Sequence, residues 1–159
     1  MTTDTAPAPR RIPSLVHTLN PLVHRLLRLG MPMGQNALLT VRGRTTGQPR
    51  SFPITILEAG GRRYVFAAFG EVNWVRNLRA AGQATIRQGR RDEAIVAIEL
   101  SPEAAAPIMQ TGLEAAIRIK VFGPMVAGWY GITADSTPAD YLASARIHPG
   151  FELQASPRA

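Results

Sequence analysis

Between Leu15 and Leu29 apolar side chains recur at three- and four-residue steps, through Val16, Leu19, Leu22, Val23, Leu26 and Leu27, which is the spacing of one helix face. Asn20 as a cap and Pro21 at the first helical position start the best stretch, which ends near Gly30 and Pro32. His24, Arg25 and Arg28 form its polar side. A basic amphipathic helix of this kind can bury its leucines on the domain, lie on an anionic bilayer, or act as a lid. After Gly34 the period shortens to two through Leu39 and Val41 and again through Phe52, Ile54 and Ile56, which predicts strands on either side of a glycine-threonine turn. Gly60-Gly61 predicts a hairpin between Ile54–Leu57 and Tyr64–Ala68.

Asn73 to Ala80 reads as a short helix stopped by Gly82. Two strands follow, Ala84–Arg87 and Ala94–Leu100, joined by the charged turn from Gly89 to Asp92. Ser101-Pro102-Glu103 starts another helix, with a cap residue, a proline and an acid in the first turn. Helical pattern continues from Leu113 to Val126, and Phe151-Glu152-Leu153 reads as a last short strand of the sheet. Five or six sequential strands with hairpin turns favour a closed or half-closed antiparallel barrel, because parallel crossovers need more helix between strands than this chain has. The expected organisation is a disordered arm over 1–11, an amphipathic helix over 12–33 and a barrel domain over 34–155.

A length of 159 residues with 45% hydrophobic and 18% charged side chains suits one globular domain. The net charge of +7 points to anionic partners: a polyanionic cofactor, nucleic acid or an anionic membrane face. Lys120 is the only lysine, so arginine abundance carries information only where it clusters. With no cysteine there are no disulfides, thiolate metal sites or cysteine nucleophile, and the composition is compatible with the cytoplasm. No 18-residue apolar run is present, and Met1 to Arg10 lack the apolar stretch of a secretory signal. The chain contains neither Gly-x-Gly-x-x-Gly after its first strand nor a Gly-Lys-Ser/Thr phosphate loop. His17, His24 and His148 show no metal-ligand spacing and read as surface histidines.

The densest cluster is Arg42-Gly43-Arg44-Thr45-Thr46-Gly47-Gln48-Pro49-Arg50. Glycines permit positive φ and close backbone approach, threonines add hydroxyl donors, and guanidiniums match phosphate or carboxylate oxygens two at a time. This turn is suited to an anion, phosphate above all.

Taken together, Gly43-Arg44-Thr45-Thr46-Gly47-Gln48-Pro49-Arg50, Val65-Phe66-Ala67-Ala68 and Trp74-Val75-Arg76-Asn77-Leu78 resemble the deazaflavin (F420)-dependent nitroreductase family. The likeness spans Leu38 to Gln88 and continues more weakly to Leu153. It implies a split β-barrel and an oxidoreductase that passes hydride from reduced coenzyme F420 to a small organic acceptor such as a quinone, enone or nitroaromatic. It also implies Arg44, Thr45, Thr46, Gly47 and Arg50 at the cofactor phosphate, and Pro53, Ala67, Ala68, Phe69, Gly70, Trp74 and Asn77 around the ring. Backbone amides around Ala67 to Gly70 would steady charge on that ring. Thr45 stands where many members carry lysine, a loss Arg42 or Arg44 would have to offset. The Gly70–Asn73 loop is shorter than in the quinone-reducing branch. Tyr130 and Tyr141 are the candidate hydrogen-bond or proton donors to the acceptor. Two other readings stay open: an FMN-dependent oxidoreductase on the same barrel, and a non-catalytic nucleic-acid module, against which the basic segments interleave few aromatics. The expected partners are a small-molecule substrate and no nucleic acid. A second copy of the chain, or peripheral contact with the inner face of the cell membrane through the N-terminal helix, remains open.

Overall fold

The computed structural model describes residues 14–31 and 34–157, with side chains from residue 21 onward; the predicted arm over 1–11 lies outside the described residues. Helix α1 (Ser14–Arg28) is followed by strands β1 (Asn36–Arg42), β2 (Pro49–Thr55), β3 (Leu57–Ala59) and β4 (Arg62–Phe66). Then come α2 (Asn73–Ala81), β5 (Gln83–Gln88), β6 (Arg91–Glu99), α3 (Pro102–Ile117), α4 (Gly123–Tyr130), α5 (Pro138–Ile147) and β7 (Gly150–Ala155).

The seven strands form one sheet in the order β2-β1-β5-β6-β7-β4-β3, every ladder antiparallel. The two edge strands, β2 and β3, are consecutive in the chain and separated only by Ile56, whose N–H donates to Gln35 O at 2.8 Å. A sheet whose opposite edges are joined by one residue must curl until those edges meet, and the product is an antiparallel split barrel. The apolar run from Phe52 to Leu57 is therefore two strands rather than one. The predicted hairpin is formed by β3 and β4, with Leu57 opposite Tyr64.

Period-two alternation decides what faces inward. Ala37, Leu39 and Val41 of β1 join Ile86, Ile95, Val65, Phe151 and Leu153 in the barrel core, which Val75 and Leu78 of α2 cap from one side. On β4 the opposite parity, Tyr64 and Phe66, is buried too, in a second cluster with Met109 and Leu113 of α3 and with Tyr130, Ile132 and Tyr141. Strand β4 is thus sandwiched between barrel and helices. Helix α2 ends as expected, at Gly82 with φ +67° and its N–H on Leu78 O at 2.8 Å.

Three elements differ from their sequence expectations. Helix α1 runs through Pro21 instead of starting there, so Asn20 is not its cap. The apolar repeat continues on both sides of the proline, and α1 packs on β1, β2 and β5 with Leu27 buried, although Leu22 and Leu29 are exposed. The helical pattern from Leu113 to Val126 is broken after Ile117. Gly123 N–H donates back to Ile119 O at 2.6 Å, and a Cβ on Gly123 would fall 1.9 Å from Ile117 O, so only glycine allows the chain to re-enter a helix here. Helix α5 was not anticipated at all, although its start carries a full capping box, with Thr137 and Asp140 bonded reciprocally around Pro138 at the first position.

Arg63 of β4 reaches across β7 to Glu93 of β6 through two 2.7 Å bonds. The Arg63 hydrogen bonds hold the Glu93 carboxyl below the usual range against the opposing effect of burial. A depressed folded-state pKa gives stability that is present above the unfolded value, about 4.3 for glutamate, and lost as pH falls through the folded value. Glu93→Gln should therefore remove part of the acid sensitivity below about pH 4.3, seen as a flatter unfolding-midpoint profile against pH. Gly123→Ala should lower the denaturant midpoint by the equivalent of about 1–3 kcal/mol, the usual range for overpacking.

Candidate functional site

The β1–β2 turn is closed by Gly43 N–H on Gln48 O at 2.8 Å and Gly47 N–H on Gly43 O at 2.9 Å. Gly47 sits at φ +71°, and Gly43 is buried so tightly that a Cβ would lie 3.1 Å from Gln48 O. The turn is then tied to α2. Asn77, only 5% exposed, accepts through Oδ1 from Arg44 Nη1 at 2.8 Å and from Arg44 N–H at 3.3 Å. One buried amide thus orients both the backbone and the guanidinium of Arg44. Gly43, Arg44, Thr45 and Thr46 face Arg50, Phe52, Asn73 and Asn77 across a hollow of about 420 Å³.

The charge in this hollow is uncompensated. Arg62, Arg63, Arg76, Arg79, Arg87 and Arg118 each pair with a carboxylate, whereas Arg44 and Arg50 have no acidic partner among the described residues. Two guanidiniums left facing one concavity with threonine hydroxyls beside them are the donor set for an anion. Arg42 is not part of it. Its side chain lies over Gly47 and lines a different hollow, with Gln83 and Ser156. Any compensation for the missing lysine at Thr45 falls to Arg44.

A larger, mainly apolar cavity of about 480 Å³ lies next along the same two elements. On β2, Phe52 borders the basic hollow and Pro53 the apolar cavity; on α2, Asn73 and Asn77 border the first and Trp74 the second. The floor is Ala68 with Phe69, and the far wall comes from Gly112 and Ala116 of α3 and Trp129 and Tyr130 of α4. Phe69 and Trp129 meet edge to face at 5.4 Å, and Trp74 leans on Phe151 at 6.1 Å. The volume is in the range of about 300–1,000 Å³ that holds small organic ligands. A ligand with a flat aromatic head and an anionic linker fits the pair of hollows: small side chains admit the head and the arginine turn meets the charge.

Residues 22–118, more than half of the chain, match the family described as F420H(2)-dependent quinone reductase. The chain belongs to that family. It is an F420H(2)-dependent reductase, its cofactor is coenzyme F420, and the FMN alternative gives way to the deazaflavin. Among solved structures the chain is similar to one described as a domain-swapped dimer, with TM-score 0.54 and 18% identity over 84% of this chain and 95% of that one. It is also similar to an F420-H2 dependent reductase, FDR-A, with TM-score 0.51 and 22% identity over 76% and 94% of the two chains. Likeness at that level of identity speaks for the fold. No protein of curated function matches the chain in sequence.

Of the residues expected at the cofactor, Arg44, Thr45, Thr46, Arg50 and Asn77 share the basic hollow, Asn77 there and not beside the ring pocket, while Gly47 shapes the turn behind them. Pro53, Ala68, Phe69 and Trp74 line the apolar cavity, and Tyr130 closes its far side. Ala67 and Gly70 are buried behind the floor, and their amides are spent internally: Ala67 N–H on Pro149 O at 2.9 Å and Gly70 N–H on Ala67 O at 3.0 Å. Ala68 and Phe69 lie between them at the centre of the turn, beside the apolar cavity. The Tyr130 hydroxyl donates to Phe66 O at 3.4 Å, and burial pushes its pKa well above the ordinary tyrosine value. Tyr141 sits in the second core cluster away from both hollows, with burial foremost and then Glu114 raising its pKa.

Sequence reasoning missed the α3–α4 wall, in particular Gly112 and Trp129, and it missed Asn73. Gly112 left a signal: a mid-helix glycine costs about 1 kcal/mol relative to alanine, and here it is kept because a Cβ would press to 3.0 Å on Leu57 Cδ1. His148, read as a surface residue, is 4% exposed. Replacing the Asn77 clamp should be felt at the anion site: Asn77→Ala is expected to weaken F420 binding by about 0.5–1.5 kcal/mol, measured by fluorescence titration.

Proposed function

We propose that the chain seats F420 with its phosphate against Arg44, Thr45, Thr46 and Arg50 and its deazaflavin ring on the Ala68–Phe69 floor. The acceptor would be a flat, weakly polar carbonyl compound, a quinone first and a conjugated enone or nitroaromatic of similar shape next. One observation carries this reading: two hollows that share β2 and α2, one holding uncompensated guanidiniums and the other walled by aromatic and small side chains.

Bound F420 in its reduced form supplies the hydride. The protein's share is placement. Arg44, held by Asn77, and Arg50 take the anionic linker and so fix how far the ring reaches along β2. Phe69, Trp74 and Trp129 line the slot and would keep water from a ring and a flat acceptor bound there. The Ala68 and Phe69 amides, on the floor, would be the backbone donors nearest the charge that changes during transfer. Tyr130 is the better placed of the two tyrosines to hydrogen-bond the acceptor: it lines the cavity, and its bond to Phe66 O is long against the usual 2.7–2.8 Å or so for a hydroxyl donor. Burial keeps its phenol protonated, and its one O–H would have to leave Phe66 O to reach the acceptor.

Turnover of reduced F420 against a panel of quinones, enones and nitroaromatics tests the acceptor, with quinones expected to give the highest kcat/KM. Arg50→Ala should weaken F420 affinity by about 1.5–3 kcal/mol, the loss of a charge-assisted hydrogen bond. Unchanged affinity in that variant would remove Arg50 from the phosphate site.

A further inference from the structure

The floor of the apolar cavity is a turn, and a turn holds its shape only as well as whatever lies behind it. Behind residues 66–70 lies the junction between α5 and β7, and four consecutive residues there each meet the turn. A Cβ on Gly70, which sits at φ +76°, would come 3.3 Å from Ile147 O. His148 Nδ1 is 2.9 Å from Ala67 O. Pro149 O accepts from Ala67 N–H at 2.9 Å. Gly150 makes room for the Phe66 ring, since a Cβ there would sit 2.3 Å from Phe66 Cε1. Phe66 O is taken by the Tyr130 hydroxyl, Tyr130 O accepts from Ser144 Oγ at 2.7 Å, and the Tyr130 and His148 rings meet edge to face at 5.0 Å.

From this register we infer that His148 is a positioning residue for the cofactor: with Tyr130 it holds the Phe66 and Ala67 carbonyls from behind and so sets the Ala68–Phe69 floor on which the ring rests. A carbonyl can only accept, so the imidazole donates through Nδ1–H. The Ala67 carbonyl also accepts from Gly70 N–H at 3.0 Å, so His148 steadies the very bond that closes the turn. A histidine 4% exposed, reaching 81 residues back along the chain to the floor of the cavity, couples the C-terminal helices to the barrel at that one point. Tyr130 is shared between this brace and the cavity's far wall, which ties the height of the floor to the acceptor side. The inference rests on the floor being the seat of the ring.

Three variants and three readouts test it. His148→Asn keeps an N–H donor on the atom that bears Nδ1, His148→Leu removes it at similar bulk, and Tyr130→Phe removes only the hydroxyl. In the ligand-free protein, hydrogen exchange of the 66–72 peptide should speed up at least tenfold in His148→Leu, less in Tyr130→Phe, and stay within about threefold of the parent in His148→Asn. Fluorescence titration with oxidised F420 should show at least fivefold weaker binding in His148→Leu, with His148→Asn restoring it. Thermal melts separate this from general loss of fold: a melting loss equal in the Asn and Leu variants, with equal exchange across all peptides, would overturn the positioning role. Unchanged exchange in His148→Leu would overturn the brace while leaving the F420 site intact. Faster exchange with unchanged F420 affinity would overturn the floor as the ring's seat, and this inference with it.

Discussion

The single residue between β2 and β3 is the constraint on which the rest of the molecule depends. Strands adjacent in sequence would ordinarily pair, yet here they occupy opposite edges of a seven-stranded sheet with only Ile56 between them. The sheet has to close for the chain to be continuous, and Ile56 is itself buried at 2% and pinned to Gln35 O. Closure brings the far end of β2 against the end of β4, and that seam is where Pro53 and Ala68 come to line one cavity. An open sheet with the same hairpins would hold the arginine turn and the Ala68 turn far apart.

Charge is arranged around that closure in two ways. On the sheet faces arginines are neutralised by carboxylates: Arg63 by Glu93, Arg87 by Asp92, and Arg79 by both Glu99 and Glu71. These pairs are largely exposed and contribute little each to stability. At the β1–β2 turn the pattern stops, and Arg44 is held instead by a neutral amide that cannot cancel its charge. Asn77 orients Arg44 while leaving its field directed at the hollow, where an aspartate at the same place would have quenched it. The hollow is therefore marked by two guanidiniums that converge on it beside threonine hydroxyls, with no carboxylate among the described residues paired to either.

Signals carried within a few residues were legible in the sequence. Gly60-Gly61 marked its hairpin, Gly82 its helix end, Ser101-Pro102 its helix start, and the glycine-rich turn its cluster of guanidinium and hydroxyl donors, since each depends on φ, a cap or a donor set local to the residues named. What was illegible depends on contacts distant in the chain. Pro21 looked like a helix start because its neighbours alone cannot say that α1 continues against β1 and β2. Phe52 to Leu57 looked like one strand because the split at Ile56 is imposed by edges that meet only after closure. Arg42 looked equivalent to Arg44, but its side chain lies over Gly47 and lines another hollow. His148 looked superficial since neither Tyr130 nor Ala67 is near it in sequence. The capping box at Thr137 is the exception, a local signal that was present and overlooked.

The site divides its tasks between two kinds of physics, and the division accounts for the departure at Thr45. An anionic linker would be held by charge, which tolerates displacement and substitution so long as guanidiniums of fixed orientation remain, and Arg44 is clamped by Asn77. An aromatic ring has no charge to steer it and is held by shape alone, so the floor beneath it must be rigid and free of projecting side chains. That is why Ala67 and Ala68 are small, why Gly70 and Gly150 leave no room for a Cβ, and why the backbone there is bonded from both flanks. Acceptor choice then falls to the remaining wall, Trp129, Tyr130 and the end of α3, where Ile119 is half exposed at the rim. Within that wall Tyr130 is tied to the floor through Phe66 O and Trp129 through the Phe69 ring, so a change there is felt at the floor, while the phosphate turn lies apart from it.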